Sequence, residues 1–422
     1  MLAALYKPKR SQRNPLCPPK KSLAAKLYGC WFNPIIRREG KMKKGMVLGM
    51  CFLLAFCFTG PRVRVSSAAD EILVGNASSL TGTAAQYGIS TYEGLEVAME
   101  EINAAGGILG KKIQILKGDD SGDPRQAINV VQKFITKDKV LVIIGAELTG
   151  TTRVTGPISN QGQMVQFTAS ATGAGLTDNL PYVFRNALPE AYAIPFVVDA
   201  AKKKFKMGSV VILTSYNLDY SVDLTKIYEK ALSASGIKVQ DKISYAEGDI
   251  DFSAQVSKIK ALKPEAVVMT GYYQESAQLM IEMRKQGINC PILGSNGFND
   301  PKILDLAGKA MEGSAWASGF FPDNPDPRVR KFVAKVQEKY KKKPNQFHAQ
   351  AYDALWIIAE AIKRAGVTES TPENRTKIRD ALSRIEKFPG VSGTHTFRAG
   401  KGDAEKSVFI LTLRDGKYAL LD

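Results

Sequence analysis

From residue 70 onward, short apolar runs alternate with segments whose apolar residues recur at helical spacing. In the first part of this region, the apolar runs predict strands, and the helical spacing predicts that the segments between them are helices. The predicted elements are strands at 72–74, 112–116, 140–144 and 164–167, and helices at 92–104 and 124–137. Strands that are apolar throughout and are separated by helices predict a parallel sheet covered on both faces.

A second series of the same kind begins near Pro189. Its predicted helices are 191–204, 224–235, 252–262 and 276–286, and its predicted strands are 209–213, 239–245, 266–269 and 290–293. After residue 321 the pattern predicts helices at 326–342, 347–365 and 373–386, then a strand pair, 408–413 and 418–421, across Asp415-Gly416. Two αβ series of similar size predict an α/β protein with two Rossmann-like lobes.

The net charge of +17 is concentrated in the first 69 residues. These hold 14 of the 58 Lys and Arg residues and one of the 41 acidic residues, which leaves the rest of the chain a net charge of only +4. The basic composition therefore gives little support to nucleic-acid binding, and we expect none.

The same segment has the features of an export signal. A lysine pair after Met42 precedes the apolar run 47–59, and 67–69 (SAA) fits a cleavage site after Ala69. We expect residues 1–69 to be an upstream extension and a signal peptide, with Met42 or Met46 as the true start. The thirteen-residue apolar run is too short to span a bilayer comfortably, so we expect a periplasmic protein without a permanent membrane anchor. Cleavage would leave Cys290 as the single cysteine of the mature chain.

Two loops rich in hydroxyls and glycine, 145–152 and 168–173, each follow an apolar run. The first holds Thr149, and the second holds Ser170 and Thr172. One such loop is explained by capping of the next helix. Two loops at the carboxyl ends of neighbouring parallel strands favour a ligand site instead, because ligands bind at that edge of such sheets. Hydroxyls and free backbone N–H groups in this arrangement predict a site for a small carboxylate.

Aromatic residues occupy corresponding positions. Tyr220 and Tyr272 follow predicted strands of the second series, and Tyr87 follows the first strand of the chain. Together they predict a cleft with hydroxyls on one wall and aromatic rings on the other.

The patterns of several enzyme classes are missing from the sequence. It has two histidines and no HExxH motif, which argues against a catalytic zinc or a histidine-based triad. The glycine-rich segment 106–110 follows a helix and precedes a strand, the reverse of a dinucleotide-binding loop. The acidic segment 119–123 lacks EF-hand spacing, and Asp123-Pro124 predicts a helix start instead. We expect no enzymatic activity, no cofactor and no metal.

The chain resembles the branched-chain amino-acid binding proteins, which are type I periplasmic solute-binding proteins of ABC transporters. The resemblance covers 71–422. It rests on Leu80-Thr81-Gly82, Tyr87-Gly88, 102–110 (INAAGGILG), 119–124 (DDSGDP), Gly145, Thr149, 168–172 (TASAT), Gly271-Tyr272 and Gly294-x-x-Gly297.

The resemblance implies two lobes with parallel central sheets, joined by a three-segment hinge that closes over the ligand. Lobe 1 would be 70–189 and 320–404, and lobe 2 would be 190–319 and 405–422. The resemblance assigns the ligand carboxylate to Thr149, Ser170 and Thr172, and it assigns the pocket lining to Tyr87, Tyr220 and Tyr272. It also implies a monomer that delivers its ligand to permease subunits in the inner membrane.

One position departs from the family. Amino-acid binders of this kind carry a glutamate in the 294–297 loop to pair with the ligand ammonium, and this chain has Asn296 there. Asparagine can accept a hydrogen bond but cannot neutralise a charge. Glu147, Glu190, Asp219 or Glu275 are candidates to replace it. A branched-chain or other hydrophobic amino acid is the first expectation, and a non-amino organic acid or amide is the alternative. A periplasmic ligand-sensing subunit is the alternative role.

Overall fold

A computed structural model of the chain describes residues 71–398 and 401–421. The predictions about the export signal, its cleavage site and the four N-terminal cysteines lie outside these residues. In the described part of the chain, no helix combines the length and the apolar character that a membrane span requires.

Strands and helices alternate through both predicted series. The elements are β1 Glu71–Ser78, α1 Ala85–Ala104, β2 Lys112–Asp119, α2 Pro124–Lys133, β3 Val142–Ile144, α3 Thr149–Gln161, β4 Gln166–Thr168, β5 Val183–Arg185, α4 Glu190–Phe205, β6 Ser209–Ser215, α5 Asp219–Ala234, β7 Lys238–Tyr245, α6 Ser253–Leu262, β8 Ala266–Met269, α7 Tyr273–Lys285, β9 Ile292–Leu293, α8 Lys302–Ala307, β10 Ser314–Ser318, α9 Pro327–Tyr340, α10 Gln346–Ala365, α11 Pro372–Leu382, β11 Phe388–Pro389, β12 Thr394–His395, β13 Phe409–Arg414 and β14 Lys417–Leu420.

The strands form two main sheets. The first has the order β2-β1-β3-β4-β5 and is parallel throughout. The second has the order β14-β13-β10-β9-β8-β6-β7, in which β10 through β7 are parallel and the hairpin of β13 and β14 adds an antiparallel edge. The predicted α/β class with two parallel-rich lobes is confirmed.

Each sheet is buried in its own core. The first core joins β1, β3 and β4 to the inner faces of α1, α10 and α11. The second joins β6, β8, β9 and β10 to α4, α5 and α7. The late helices therefore pack on the first sheet, although the chain has built most of the second sheet before it reaches them. The residue boundaries of the lobes given above stay predictions.

Local signals explain several element boundaries. Asp123 accepts hydrogen bonds from the backbone N–H groups of Arg125 and Gln126, 2.9 Å each, which is the predicted cap of α2. The turn between β13 and β14 places Asp415 and Gly416 at positive φ, 51° and 70°, as a two-residue hairpin requires. The predicted hairpin is thereby confirmed.

Candidate functional site

The two sheets reverse their strand order at corresponding places. In the first sheet β2 and β3 lie on opposite sides of β1, and in the second sheet β7 and β8 lie on opposite sides of β6. Loops that leave neighbouring strands toward opposite sides of a sheet open a crevice at the carboxyl ends, which is where ligands bind in open α/β sheets. The loop after β3 and the residues after β6 and β8 are the segments singled out in the sequence.

The two hydroxyl loops of the first lobe pack directly on each other. The backbone N–H of Gly173 donates to Thr149 Oγ1 over 3.2 Å. A Cβ on Gly173 would lie 2.3 Å from Thr149 Cγ2, so this close approach requires glycine. Ser170 and Thr172 precede Gly173 on the second loop and are 5% and 1% exposed. The loops therefore form one continuous surface of hydroxyls.

The helices that begin at this crevice have no side-chain cap. The N-cap residues of α1, α3, α5 and α7 are Ala84, Leu148, Leu218 and Tyr272, and no side chain among them accepts from the first turn. The N-cap residues of α4, α6 and α8 also provide no side-chain cap, whereas α2, α9, α10 and α11 are capped by Asp, Asn or Thr side chains. The first turn of α3, which begins at Thr149, therefore keeps backbone N–H donors available to a ligand anion, whereas the first N–H of α7, that of Tyr273, donates to Tyr87 Oη.

Aromatic rings from both lobes line the rest of the crevice. Tyr220 stacks on Tyr272 with ring centroids 5.2 Å apart and an interplanar angle of 17°. Tyr87, from the first lobe, meets Tyr272 edge to face at 5.5 Å and lies 4.7 Å from the ring of Phe347. These four rings give an apolar surface suited to a hydrophobic side chain.

All seven predicted site residues line one cavity between these walls. The cavity is small in this closed form, about 20 Å³, and its lining is Tyr87, Glu147, Leu148, Thr149, Ser170, Ala171, Thr172, Tyr220, Tyr272, Asn296, Gly297 and Phe347. The structure thus brings the predicted residues together. Whether they hold a ligand stays a prediction.

The lobes are closed over this cavity. Tyr87 Oη donates to the carbonyl oxygen of Gly297 and accepts from the backbone N–H of Tyr273, both at 3.1 Å. Ser90 Oγ on α1 donates to Asp300 Oδ2 over 3.2 Å. These hydrogen bonds join the first lobe to the second across the crevice.

Asn296 also takes part in contacts across the crevice. Its side-chain oxygen accepts a hydrogen bond from Gln346 Nε2 at the start of α10, and its backbone N–H donates to Glu190 Oε1 over 2.8 Å. Tyr220 Oη donates to the same Glu190 oxygen over 2.6 Å. The hydrogen-bonding capacity of the Asn296 amide oxygen is therefore partly used within the protein.

Two buried glutamates lie at the site without a cationic partner among the described residues. Glu147 is 1% exposed and Glu190 is 2% exposed. Burial and, to a smaller extent, the nearby Asp120 raise the pKa of Glu147, and hydrogen bonds from Ser170, Thr91 and Ser78 lower it; the net pKa is about 7. Burial also raises the pKa of Glu190 to about 7, against hydrogen bonds from Tyr220 and Asn296.

A larger groove elsewhere has a different character. It has a larger volume, and its lining combines apolar residues such as Pro301, Leu304 and Phe320 with about as many polar ones. Its lining includes Ser318, the last residue of β10, but no residue of the two hydroxyl loops. We therefore place the candidate site in the smaller cavity, where polar groups from adjacent strands converge.

Comparison with known proteins agrees with this geometry. The sequence profile of the family described as periplasmic binding protein matches residues 71–417. The chain belongs to this family. Among curated members, the leucine-, isoleucine-, valine-, threonine- and alanine-binding protein of Pseudomonas aeruginosa is 29% identical over 82% of this chain and 90% of its own length.

Two solved structures of this kind are also similar. A leucine-binding protein of Thermotoga maritima has 28% identity and a TM-score of 0.77, covering 83% of this chain and 97% of its own. A branched-chain amino-acid transporter substrate-binding protein of Streptococcus pneumoniae, solved in complex with isoleucine, has 27% identity and a TM-score of 0.77, covering 82% and 97%. The type I periplasmic binding protein fold is thereby confirmed.

The sequence contains no sign of one residue of this cleft, Phe347, and does not single out another, Glu147. Phe347 reaches the cavity from α10, and its sequence position, far from every hydroxyl loop, gives no signal of this. Glu147 was named as one of four possible acids, but no pattern in the sequence distinguishes it from Glu275. Glu275 instead accepts from the backbone N–H of Gly248 over 3.0 Å and is not among the cavity residues.

Proposed function

We propose that this protein is the extracytoplasmic solute-binding component of an ABC importer and that it captures a hydrophobic amino acid, most simply a branched-chain one. Thr149, Ser170 and Thr172 bind the carboxylate of the ligand, together with free N–H groups at the start of α3. Tyr87, Tyr220 and Tyr272 surround its side chain. The observation that carries the proposal is one cavity in which the hydroxyl loops of the first lobe face the stacked rings of Tyr220 and Tyr272 from the second, with Tyr87 of the first lobe against Tyr272.

The closed arrangement supports a hinge mechanism. The first lobe captures the carboxylate, and the second lobe then rotates over the ligand and buries it. The Tyr87 hydrogen bonds form only in the closed state, so they help to define its geometry. The closed monomer then presents surfaces of both lobes to the permease subunits in the inner membrane. The periplasm is the compartment in which this role is performed.

A thermal-shift screen tests this proposal. The purified protein is heated with each of the twenty amino acids, with aromatic and fatty acids, and with amides. A ligand present at a hundred times its Kd stabilises the native state by about 2.7 kcal/mol, which raises the midpoint by several degrees. We expect the largest shifts with leucine, isoleucine or valine. The proposal would be contradicted if only amides raised the unfolding midpoint, or if no carboxylate in the panel raised it.

A further inference from the structure

The 294–297 loop supplies no acid for a ligand ammonium, because Asn296 stands there. In the closed structure the side-chain oxygen of Asn296 accepts a hydrogen bond from Gln346, and the backbone N–H of Asn296 donates to Glu190. An ammonium buried in this cavity therefore needs a counter-charge from another element. Burial of an unpaired charge is costly enough that such a ligand would otherwise be rejected.

Glu147 is the acid that meets this requirement by position. It precedes α3 on the first hydroxyl loop and lines the cavity beside Thr149 and Ser170. Thr91 Oγ1 donates to Glu147 Oε1 over 3.0 Å, and Ser78 Oγ donates to Oε2 over 3.2 Å. These hydroxyls fix the carboxylate without neutralising it.

No Lys, Arg or His among residues 71–398 and 401–421 forms an ion pair with Glu147. The ion pairs in that part of the chain involve other acids, such as Asp219, Asp223 and Asp403. A buried carboxylate on a cavity wall, held by hydroxyls and without a counter-ion, is complementary to a cation that arrives with the ligand.

The other candidate acids are placed less well. Glu190 carries hydrogen bonds from Tyr220 and Asn296 and is not among the cavity residues. The Asp219 side chain is 61% exposed and faces Arg153 at 3.8 Å. Glu275 is held by Gly248, outside the cavity.

We infer that Glu147 pairs with the α-ammonium of the ligand, so that the first lobe alone holds both charges of an α-amino acid. This inference rests on the proposed function and specifies its ligand class. The ammonium and the carboxylate of an α-amino acid are attached to one carbon, and Glu147 lies on the same wall as the hydroxyls assigned to the carboxylate. The second lobe then contributes the rings of Tyr220 and Tyr272 to the surface that selects the side chain, and it contributes no charge.

Calorimetric titration with matched ligand pairs tests the inference. The probes are L-leucine with 4-methylpentanoate, which keeps the carboxylate and the side chain but lacks the ammonium, and L-phenylalanine with 3-phenylpropanoate. The variants are Glu147→Gln, Glu190→Gln and the control Glu275→Gln, a buried glutamate outside the cavity. Glutamine is nearly isosteric; its single oxygen can accept from Thr91 or Ser78, and its NH2 group can donate to the other hydroxyl.

The wild type should bind the better amino acid at least about thirtyfold more tightly than its deaminated partner. Glu147→Gln should weaken amino-acid binding by about the same factor and leave the deaminated acid unchanged or tighter. Glu275→Gln should leave both affinities unchanged.

Four results would overturn the inference. The first is wild-type preference for the deaminated acid, which leaves the carboxylate-binding function standing and does not depend on how any variant folds. The second is amino-acid affinity in Glu147→Gln within threefold of wild type, and the third is equal loss of both members of a pair. The fourth is that Glu190→Gln, and not Glu147→Gln, weakens binding of the amino acid while it leaves binding of the deaminated acid unchanged. Binding of none of the four probes by the wild type would instead contradict the proposed function, and the inference with it.

Discussion

The hydroxyl of Tyr87 offers a selective test of lobe closure. Tyr87→Phe removes one oxygen and keeps the ring contacts with Tyr272, Tyr273 and Phe347. In the closed state that oxygen donates to Gly297 O and accepts from Tyr273 N, and the residue is only 2% exposed. In an open state water can satisfy all three groups. The substitution should therefore destabilise the closed state and leave the open state nearly unaffected.

The magnitude follows from the groups left unpaired. Tyr87→Phe removes the partner of two buried groups, Gly297 O and Tyr273 N–H, and each such group left unpaired costs roughly 1–3 kcal/mol. If closure is coupled to binding, the cost of one of them alone lowers ligand affinity by roughly 5- to 150-fold, which is the minimum expected loss. The measurement is calorimetric titration of wild type and variant with the tightest ligand from the thermal-shift screen.

The matched control is Tyr182→Phe. The Tyr182 hydroxyl lies 2.7 Å from Thr376 Oγ1 on α11, the helix that packs on the first sheet, and this contact is away from the crevice. This variant should lose some stability and keep its affinity. Equal affinities for Tyr87→Phe and wild type would refute the reasoning, since the hydrogen bonds across the crevice would then contribute nothing to the bound state.

Three further predictions concern the cradle, its acid and the fold. Replacing Thr149 and Ser170 together by alanine should reduce ligand affinity, measured by calorimetry, by at least about a hundredfold, because charge-assisted hydrogen bonds to the carboxylate are lost. The circular dichroism spectrum should stay unchanged, and retained affinity would count against the assignment of the carboxylate to the hydroxyl loops. The raised pKa of Glu147 means that the native state binds the proton more tightly than the unfolded state, so its stabilising effect is complete below about pH 4.5 and is lost as the pH rises through about 7. In urea unfolding of the unliganded protein, wild type should therefore lose up to about 3 kcal/mol relative to Glu147→Gln over that range, and parallel curves would contradict this. Asp123→Ala should cost about 1 kcal/mol in the same assay by removing the cap of α2, with no change in ligand affinity.

The alternation of elements could be predicted because it depends on local patterns. Apolar runs specified the positions of β6 and β8, and the strong cap signal at Asp123 placed the start of α2. The strand β10, with sequence SAWAS, was not predicted, because serine and alanine have low strand propensity. It forms because β9 and β13 pair with it on either side in the buried sheet.

Helix starts at the crevice were placed too late. The helix α1 was predicted from residue 92 and begins at Ala85. Its first turns contain Gly88, a poor helix former, and Ala84 gives no cap signal. A Cβ on Gly88 would lie 2.2 Å from the carbonyl oxygen of Ser79, so the close packing of this helix against the first loop requires glycine. Where a helix borders the cleft, the features that suit the cleft weaken the local helix signal.

The part of the site that depends on local sequence patterns could be predicted. The hydroxyl loops follow their strands directly, so the sequence indicates that they meet at one sheet edge. Contacts between distant segments have no local pattern, whether they cross the crevice, as that of Asn296 with Gln346 does, or join α1 to α10, as that of Tyr87 with Phe347 does. The position of Glu147 likewise became clear only when its hydroxyl partners and its place on the cavity wall were known.

A crystal structure of the protein with the tightest amino acid from the screen tests the central claim most directly. The account predicts that the ligand carboxylate lies within about 3.2 Å of the hydroxyls of Thr149, Ser170 and Thr172 or of the N–H groups that begin α3. It also predicts that the side chain lies among Tyr87, Tyr220 and Tyr272. A carboxylate bound to the second lobe, or a ligand outside the cleft, would contradict the account.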